Sequence, residues 1–190
     1  MTESLTRPET ANTARFAGSK AIAALETERL TLRPLALTDA DWVGRESGRP
    51  EVARHLALVP APNPALFAEM FILSVLAKRT DLVRAVTDRK TGAPLGVVGA
   101  HKTGQGVYGF GYWYAPSAWG RGIATEAGRA LIEALRHAGA KRLTAGYFTT
   151  NPASARVLSK LGFEDTGEDA PQFCVAQMKT LPHRGMALDL

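Results

Sequence analysis

Only one cysteine, Cys174, occurs in the 190 residues. An internal disulfide is therefore excluded, and a reducing cytoplasm is the expected compartment. No sequence neighbour offers Cys174 a histidine, so it reads as a small apolar residue rather than a nucleophile. Apolar runs are short: none approaches the roughly twenty residues of a membrane span, and residues 1–20 lack the apolar centre of a signal peptide. Basic residues outnumber acidic ones by 23 to 18 without forming a dense run, which argues against a nucleic-acid stripe and leaves a surplus suited to a small anionic ligand. What is abundant is ordinary globular material, 45% hydrophobic and 22% charged, enough for one well-formed core.

The most informative stretch runs from Phe110 to Ala127. It reads as an aromatic strand stopped at Pro116, a tight turn at Gly120 and Gly122, and the start of a helix. From Ile123 the apolar positions Ala127, Ala130, Leu131, Ala134, Leu135 and Ala138 keep helical spacing. The first N–H groups of a helix lack internal partners and carry the positive end of the dipole, so a phosphate suits them. Glycine lets backbone approach such an anion closely, and Arg121 adds a cation. A plain turn at Gly120 and Gly122 explains the same glycines equally well.

Other phosphate motifs fail on these letters. A dinucleotide fingerprint would need an acidic residue about twenty positions on, where Lys141 and Arg142 stand. A P-loop ending at Lys102-Thr103 would need glycine where His101 stands. Trp119-Gly-Arg-Gly122-Ile-Ala124 instead resembles the acyl-CoA loop of the GNAT N-acetyltransferases, Gln/Arg-x-x-Gly-x-Gly/Ala, apart from Trp119 at its first position. The longer run through Thr125, Glu126 and Ala127 is similar to the RimJ/RimL branch, where that tryptophan is usual. The resemblance implies that Trp119, Gly120, Arg121, Gly122, Ile123, Ala124 and Thr125 bind acetyl-CoA as co-substrate, with no metal.

Along the chain, residues 1–22 read as a flexible arm and 23–190 as one domain. Arg29–Arg33 alternates as a half-buried strand closed by Pro34, and Leu25–Pro34 also resembles the opening strand of the RimJ/RimL branch. Thr38–Asp41 is a capping box opening a helix with Trp42 and Val43. Glu51–Leu58 reads as a short helical piece. Asn63 as N-cap and Pro64 introduce a helix over 65–79 that is apolar nearly all round, which predicts a second contact: acceptor wall or homodimer interface. Strands follow at Leu82–Thr87, Pro94–Lys102 and Val107–Tyr114, then a helix from Gly120, a strand at Arg142–Phe148, a helix at Pro152–Leu161, and strands from Phe163 and near Met186–Leu190. Early hairpins and a later βαβα run predict a mixed α/β sandwich. The resemblance implies the GNAT version: a mostly antiparallel central sheet splayed between two parallel strands and flanked by helices.

Asn151-Pro-Ala-Ser154 begins a well-punctuated helix ending at Gly162. That account leaves only Ser154 unexplained, and a first-turn hydroxyl satisfying backbone N–H is one reading of it. The segment through Gly162-Phe163 also resembles the family's Asn-x-x-Ser signature, in which Asn151 and Ser154 would contact the pantetheine arm. On that resemblance, backbone groups of Trp113 and Tyr114 would pair with pantetheine as an added strand, and an N–H at Tyr114 would hold the thioester oxygen. Ser154 would assist the departing thiolate, with Tyr112 or Tyr147 as alternatives. Many relatives carry an acid where this chain has Gly109. His101, Glu126 or a relayed water stay open as the base.

The expected activity is acetyl transfer from acetyl-CoA to a primary amine, a protein N-terminus or a small molecule, in a ternary complex. A non-catalytic acyl-CoA sensor is the alternative that Gly109 raises. Asp39, Asp41, Glu46 and Glu51 are placed to supply an acidic acceptor cleft or simply a solvated helix face.

Overall fold

A computed structural model describes residues 24–78 and 80–190. The expected N-terminal arm, residues 1–22, lies outside them. In chain order come β1 (Leu25–Glu26), β2 (Leu30–Pro34), α1 (Ala40–Ser47), α2 (Pro50–Ala53), α3 (Ala65–Ala77), β3 (Leu82–Asp88), β4 (Pro94–Gly104) and β5 (Val107–Tyr114). Then follow α4 (Ile123–His137), β6 (Arg142–Phe148), α5 (Pro152–Lys160), β7 (Glu164–Asp169), β8 (Gln172–Cys174), β9 (Lys179–Leu181) and β10 (His183–Asp189).

From β1 to β5 consecutive strands are antiparallel neighbours, β2 and β3 being joined through α1, α2 and α3 and the others by short turns, whereas α4 carries the chain across so that β6 runs parallel to β5. The result is an eight-stranded sheet in the order β1-β2-β3-β4-β5-β6-β10-β7, with β8 and β9 as a separate hairpin. Strand periodicity divides its faces. Val98, Ala100, Tyr108, Phe110, Tyr114 and Leu143 pack with Ile123, Ala127, Leu131 and Leu158 from α4 and α5. Val83, Ala85 and Val97 pack with Val43 of α1 and with Ala68, Ile72 and Val75 of α3.

Several local expectations shift. The Thr38–Asp41 capping box does not form: Asp39 takes the Ala36 N–H, the Trp42 indole and both terminal nitrogens of Arg33, all at 2.7–2.8 Å, after a 3-10 turn at Leu37–Asp39. Asn63 does not cap α3; its amide donates to Ser47 Oγ at 2.9 Å, tying the loop to α1. The piece expected over Glu51–Leu58 is one turn, α2. The hairpin β8–β9 carries no alternation long enough to be read, and Cys174, fully buried, fastens it by pointing its thiol at the carbonyls of Arg54 and Leu56.

Candidate active site

The site begins where two strands part. β5 and β6 pair at Val107–Arg142, Tyr108–Leu143 and Gly109–Thr144, and no further. β6 stays bonded to β10 along its whole length, and β5 to β4, so beyond Gly109 the two parallel strands diverge. A cavity of about 860 Å³ opens there, lined among others by Gly111, Tyr112, Trp119, Gly122, Asn151 and Ser154.

Ladder alternation decides which backbone groups of β5 face the split. Ala115 N–H donates to the Leu95 carbonyl at 2.8 Å, and hydrogen-bonded pairs in an antiparallel ladder recur every second residue. Trp113 and Gly111 therefore point their N–H and C=O at β4, while Tyr112 and Tyr114 point theirs at the split. Of the two residues expected to pair with pantetheine, Tyr114 is oriented for it and Trp113 is not. Tyr112, whose backbone was not singled out, takes that place. Only the register of β4 on β5 reveals this parity.

Trp119 explains its own presence. Its indole N–H donates to the Tyr114 carbonyl at 2.8 Å, binding the loop to the end of β5. Gly120 and Gly122 sit at φ 71° and 76°, a region costly for residues with a Cβ. The first backbone donor satisfied in this turn is Glu126 N–H, on the Gly122 carbonyl at 3.1 Å. The N–H groups of Gly120, Arg121, Gly122, Ile123, Ala124 and Thr125 have no acceptor among the described residues. The Arg121 guanidinium reaches the Ser117 carbonyl at 3.3 Å, within the same loop.

Glu126 is fully engaged elsewhere. It accepts from Thr27 Oγ1 at 2.6 Å, from Arg29 N–H at 3.0 Å and from Arg29 Nε at 2.7 Å. Burial alone would raise this carboxyl, but those bonds outweigh it and hold it below the ordinary range. It clips the β1–β2 turn to α4 and has no lone pair directed at the split.

Asn151 caps α5, its Oδ1 accepting from Ser154 N–H at 3.1 Å. Ser154 Oγ lies 2.9 Å from the Tyr112 hydroxyl, so its side chain bonds across the split and not to backbone N–H. Burial pushes the Tyr112 phenol up to about 12, only partly offset by that contact. The Tyr114 hydroxyl is buried without a partner among the described residues, and burial raises it further still. Tyr147 also lines the cavity.

Of the two readings of Asp39, Asp41, Glu46 and Glu51, the acidic cleft is not met in this cavity: its described lining contains no Asp or Glu. Asp39 is consumed by Arg33 and Trp42, and Glu46 by Arg45 and Arg49. Three of the four histidines, His55, His101 and His183, line it instead.

Residues 29–164 match the acetyltransferase (GNAT) domain family. The chain belongs to that family. GNAT proteins are acetyl-CoA-dependent acetyltransferases, which is the activity class of this enzyme. It is 28% identical over 148 residues to p20, an uncharacterized N-acetyltransferase of Bacillus licheniformis, covering 75% of this chain and 83% of p20. Its fold superposes with a TM-score of 0.76 on RimL, a ribosomal L7/L12 α-N-protein acetyltransferase solved with coenzyme A, at 14% identity over 88% of this chain and 98% of that one. A ribosomal-protein-S5-alanine acetyltransferase from Vibrio fischeri gives 0.71 at 20% identity, over 87% and 96% of the two chains. In this GNAT enzyme, among the described residues, no helix is long and apolar enough to cross a membrane.

Proposed function

We propose that the enzyme moves an acetyl group from acetyl-CoA directly to a primary amine, a protein N-terminus or a small molecule, with both substrates bound together, and that it belongs with the RimJ/RimL branch. The observation that carries this reading is a split sheet sharing one cavity with a row of acceptor-free amides at Gly120 to Thr125. The branch rests on Trp119 at the head of the loop, and the N-terminal acetylation by RimL makes a protein N-terminus a reasonable acceptor. A buried, unpaired Cys174 fits a reducing cytoplasm.

In this reading the loop amides and the α4 dipole hold the diphosphate, with Arg121 beside it. The groove continuing over α4 carries Arg129 and Lys160, neither paired with a carboxylate among the described residues, and suits the remaining phosphate of CoA. Tyr112 and Tyr114 offer backbone groups to the pantetheine as a neighbouring strand would, and the side-chain amide of Asn151, whose Oδ1 caps α5, keeps its donors free among the described residues. A β5 N–H directed at the thioester oxygen is worth about 3 kcal/mol.

The departing sulfur meets the Ser154–Tyr112 hydroxyl pair. A phenol near 12 stays protonated at neutral pH, and full proton transfer from it to a thiolate of ordinary basicity, near 8.5, is uphill by about 5 kcal/mol. The pair therefore stabilises the thiolate by hydrogen bonding, and the proton comes finally from water. The test is CoA release from acetyl-CoA with a panel of α-amino peptides, amino acids and polyamines. Ser154→Ala and Asn151→Ala should each cut turnover at least tenfold; unchanged rates in both would sink the assignment.

A further inference from the structure

Gly109 leaves the acetyl-transfer reading without an acid at this place in β5, and the sheet supplies a different group at the same level. His101 pairs directly with Gly109, and Gly109 with Thr144, the last step before the strands part. Leu82 pairs with Ala100, so Asp81, one residue earlier, stands beside His101. Asp81, His101, Gly109 and Thr144 thus form one row across four chain segments, on the face opposite α4 and α5. Asp81 Oδ2 lies 2.7 Å from His101 Nδ1, and its Oδ1 accepts the Lys102 N–H at 3.1 Å. The carboxylate side chain is 3% exposed and the imidazole 48%, so the ring is anchored on its buried side and open on the cavity side. A Cβ at Gly109 would have only the Thr103 methyl, at 3.6 Å, and the His101 carbonyl, at 3.9 Å, within van der Waals reach. His101 and Gly109 both line the cavity that opens at the split.

We propose that His101 is the general base for the acceptor amine, and that Asp81 is the residue positioning it. An ionised carboxylate only accepts hydrogen bonds, so it fixes the proton on Nδ1 and leaves the Nε2 lone pair toward the cavity. Nε2 takes one proton from the bound ammonium. The freed nitrogen pair attacks the thioester carbon, the carbon–sulfur bond breaks, and its electron pair leaves on sulfur. The second amine proton departs with formation of the amide, sulfur is protonated from water, and one proton in net is released to solvent.

The other groups around the cavity fit this role less well. His183 lies on the far wall, where a Cβ on Gly146 would clash with its ring, and neither nitrogen has a hydrogen-bond partner among the described residues to set its tautomer. His55 has a buried Nδ1 with no partner among the described residues. The charged or titratable neighbours of His101 are Asp81, Lys102 and Tyr108, and the same cavity is lined by His55, His183, Tyr112, Tyr114, Tyr147, Arg156 and Lys160. An imidazole base matches weakly basic ammonium groups, such as α-amines near 7.7–8.0, better than alkylamines near 10.4. A cavity lined without carboxylates points the same way.

The inference rests on the acetyl-transfer reading, and the experiment separates the two. CoA release is followed with a free α-amino peptide and with an N-terminally blocked lysine peptide, in wild type, His101→Gln, His101→Ala and Asp81→Asn. Asparagine preserves the Lys102 contact but presents its NH₂ to Nδ1, which forces the ring proton onto Nε2. Both His101→Gln and Asp81→Asn should lose about 10²-fold or more in kcat, with calorimetric acetyl-CoA affinity unchanged. Added imidazole should restore part of the His101→Ala rate. The free α-amine should be the better acceptor. Wild-type turnover that survives either His101→Gln or Asp81→Asn overturns the proposal alone; a wild type that releases no CoA with any amine overturns the acetyl-transfer reading and this one with it.

Discussion

The indole of Trp119 and the carbonyl of Tyr114, 2.8 Å apart, join the glycine loop ahead of α4 to the strand that borders the split. Trp119 is 48% exposed, so the bond contributes about 1 kcal/mol to stability, and its larger effect is on alignment. Trp119→Phe should lower the melting temperature by only a few degrees while raising KM for acetyl-CoA several-fold. Titration calorimetry with CoA checks it.

The loop glycines should show conformation and ligand access as separate effects. A Cβ at Gly120 meets nothing within 4 Å, and one at Gly122 meets only an Arg29 nitrogen at 3.6 Å. Alanine at either site pays about 1–2 kcal/mol for positive φ and no steric clash. Gly122→Ala should remain folded and lose at least tenfold in CoA affinity; unaltered affinity would move the diphosphate elsewhere. Valine is a poorer probe, because a β-branched residue at φ 76° strains the fold itself.

Arg129 and Lys160, which line the groove over α4 beside Glu28 and the ion pairs Arg29–Glu126 and Arg136–Glu133, predict a discrimination between coenzymes. Arg129→Ala with Lys160→Ala should weaken CoA binding tenfold or more and leave 3′-dephospho-CoA almost unaffected. Equal losses for both ligands would place the third phosphate away from these residues.

Asp39 sets an acid limit on stability. Its burial would raise the carboxyl, but the bonds from Arg33, Trp42 and Ala36 hold it below the ordinary range. With the folded value depressed, the stabilisation is complete above about pH 4 and drains away as pH falls through the folded value. Asp39→Asn should cost about 2–3 kcal/mol near neutrality and flatten the acid side of the stability curve. Urea unfolding at pH 7 and pH 3.5 reads both.

One face of α3 predicts self-association. Ala68, Ile72 and Val75 are buried at helical spacing, while Leu66, Phe67, Met70, Leu73 and Leu76 are 51–62% exposed and none of them lines the cavity. The acceptor-wall option therefore falls away for this cavity. Sedimentation should give a homodimer for the wild type and a monomer for Met70→Lys with Leu73→Lys; a monomeric wild type would refute it.

Much of this protein could be read locally. Trp119-Gly-Arg-Gly122, the helix behind it, the Asn151 cap and the alternation of strand with helix follow from spacing and backbone preference within a dozen residues, which is the range over which periodicity and capping act. Asn151 and Ser154 were legible as a motif, but the partner of Ser154 was not, because Tyr112 is 42 residues away. The same limit hid which strand residues turn their amides to the split, since a one-residue change in register exchanges Trp113 for Tyr112. It also hid Asp81 behind His101, and turned Asp39 and Glu46 from imagined substrate ligands into partners of arginines. The sequence by itself determined most of the helices and strands, the glycine turn ahead of α4 and the family. Tertiary structure alone decided which side chains share the cavity, because strand register and ion pairing join residues whose separation along the chain leaves no local trace.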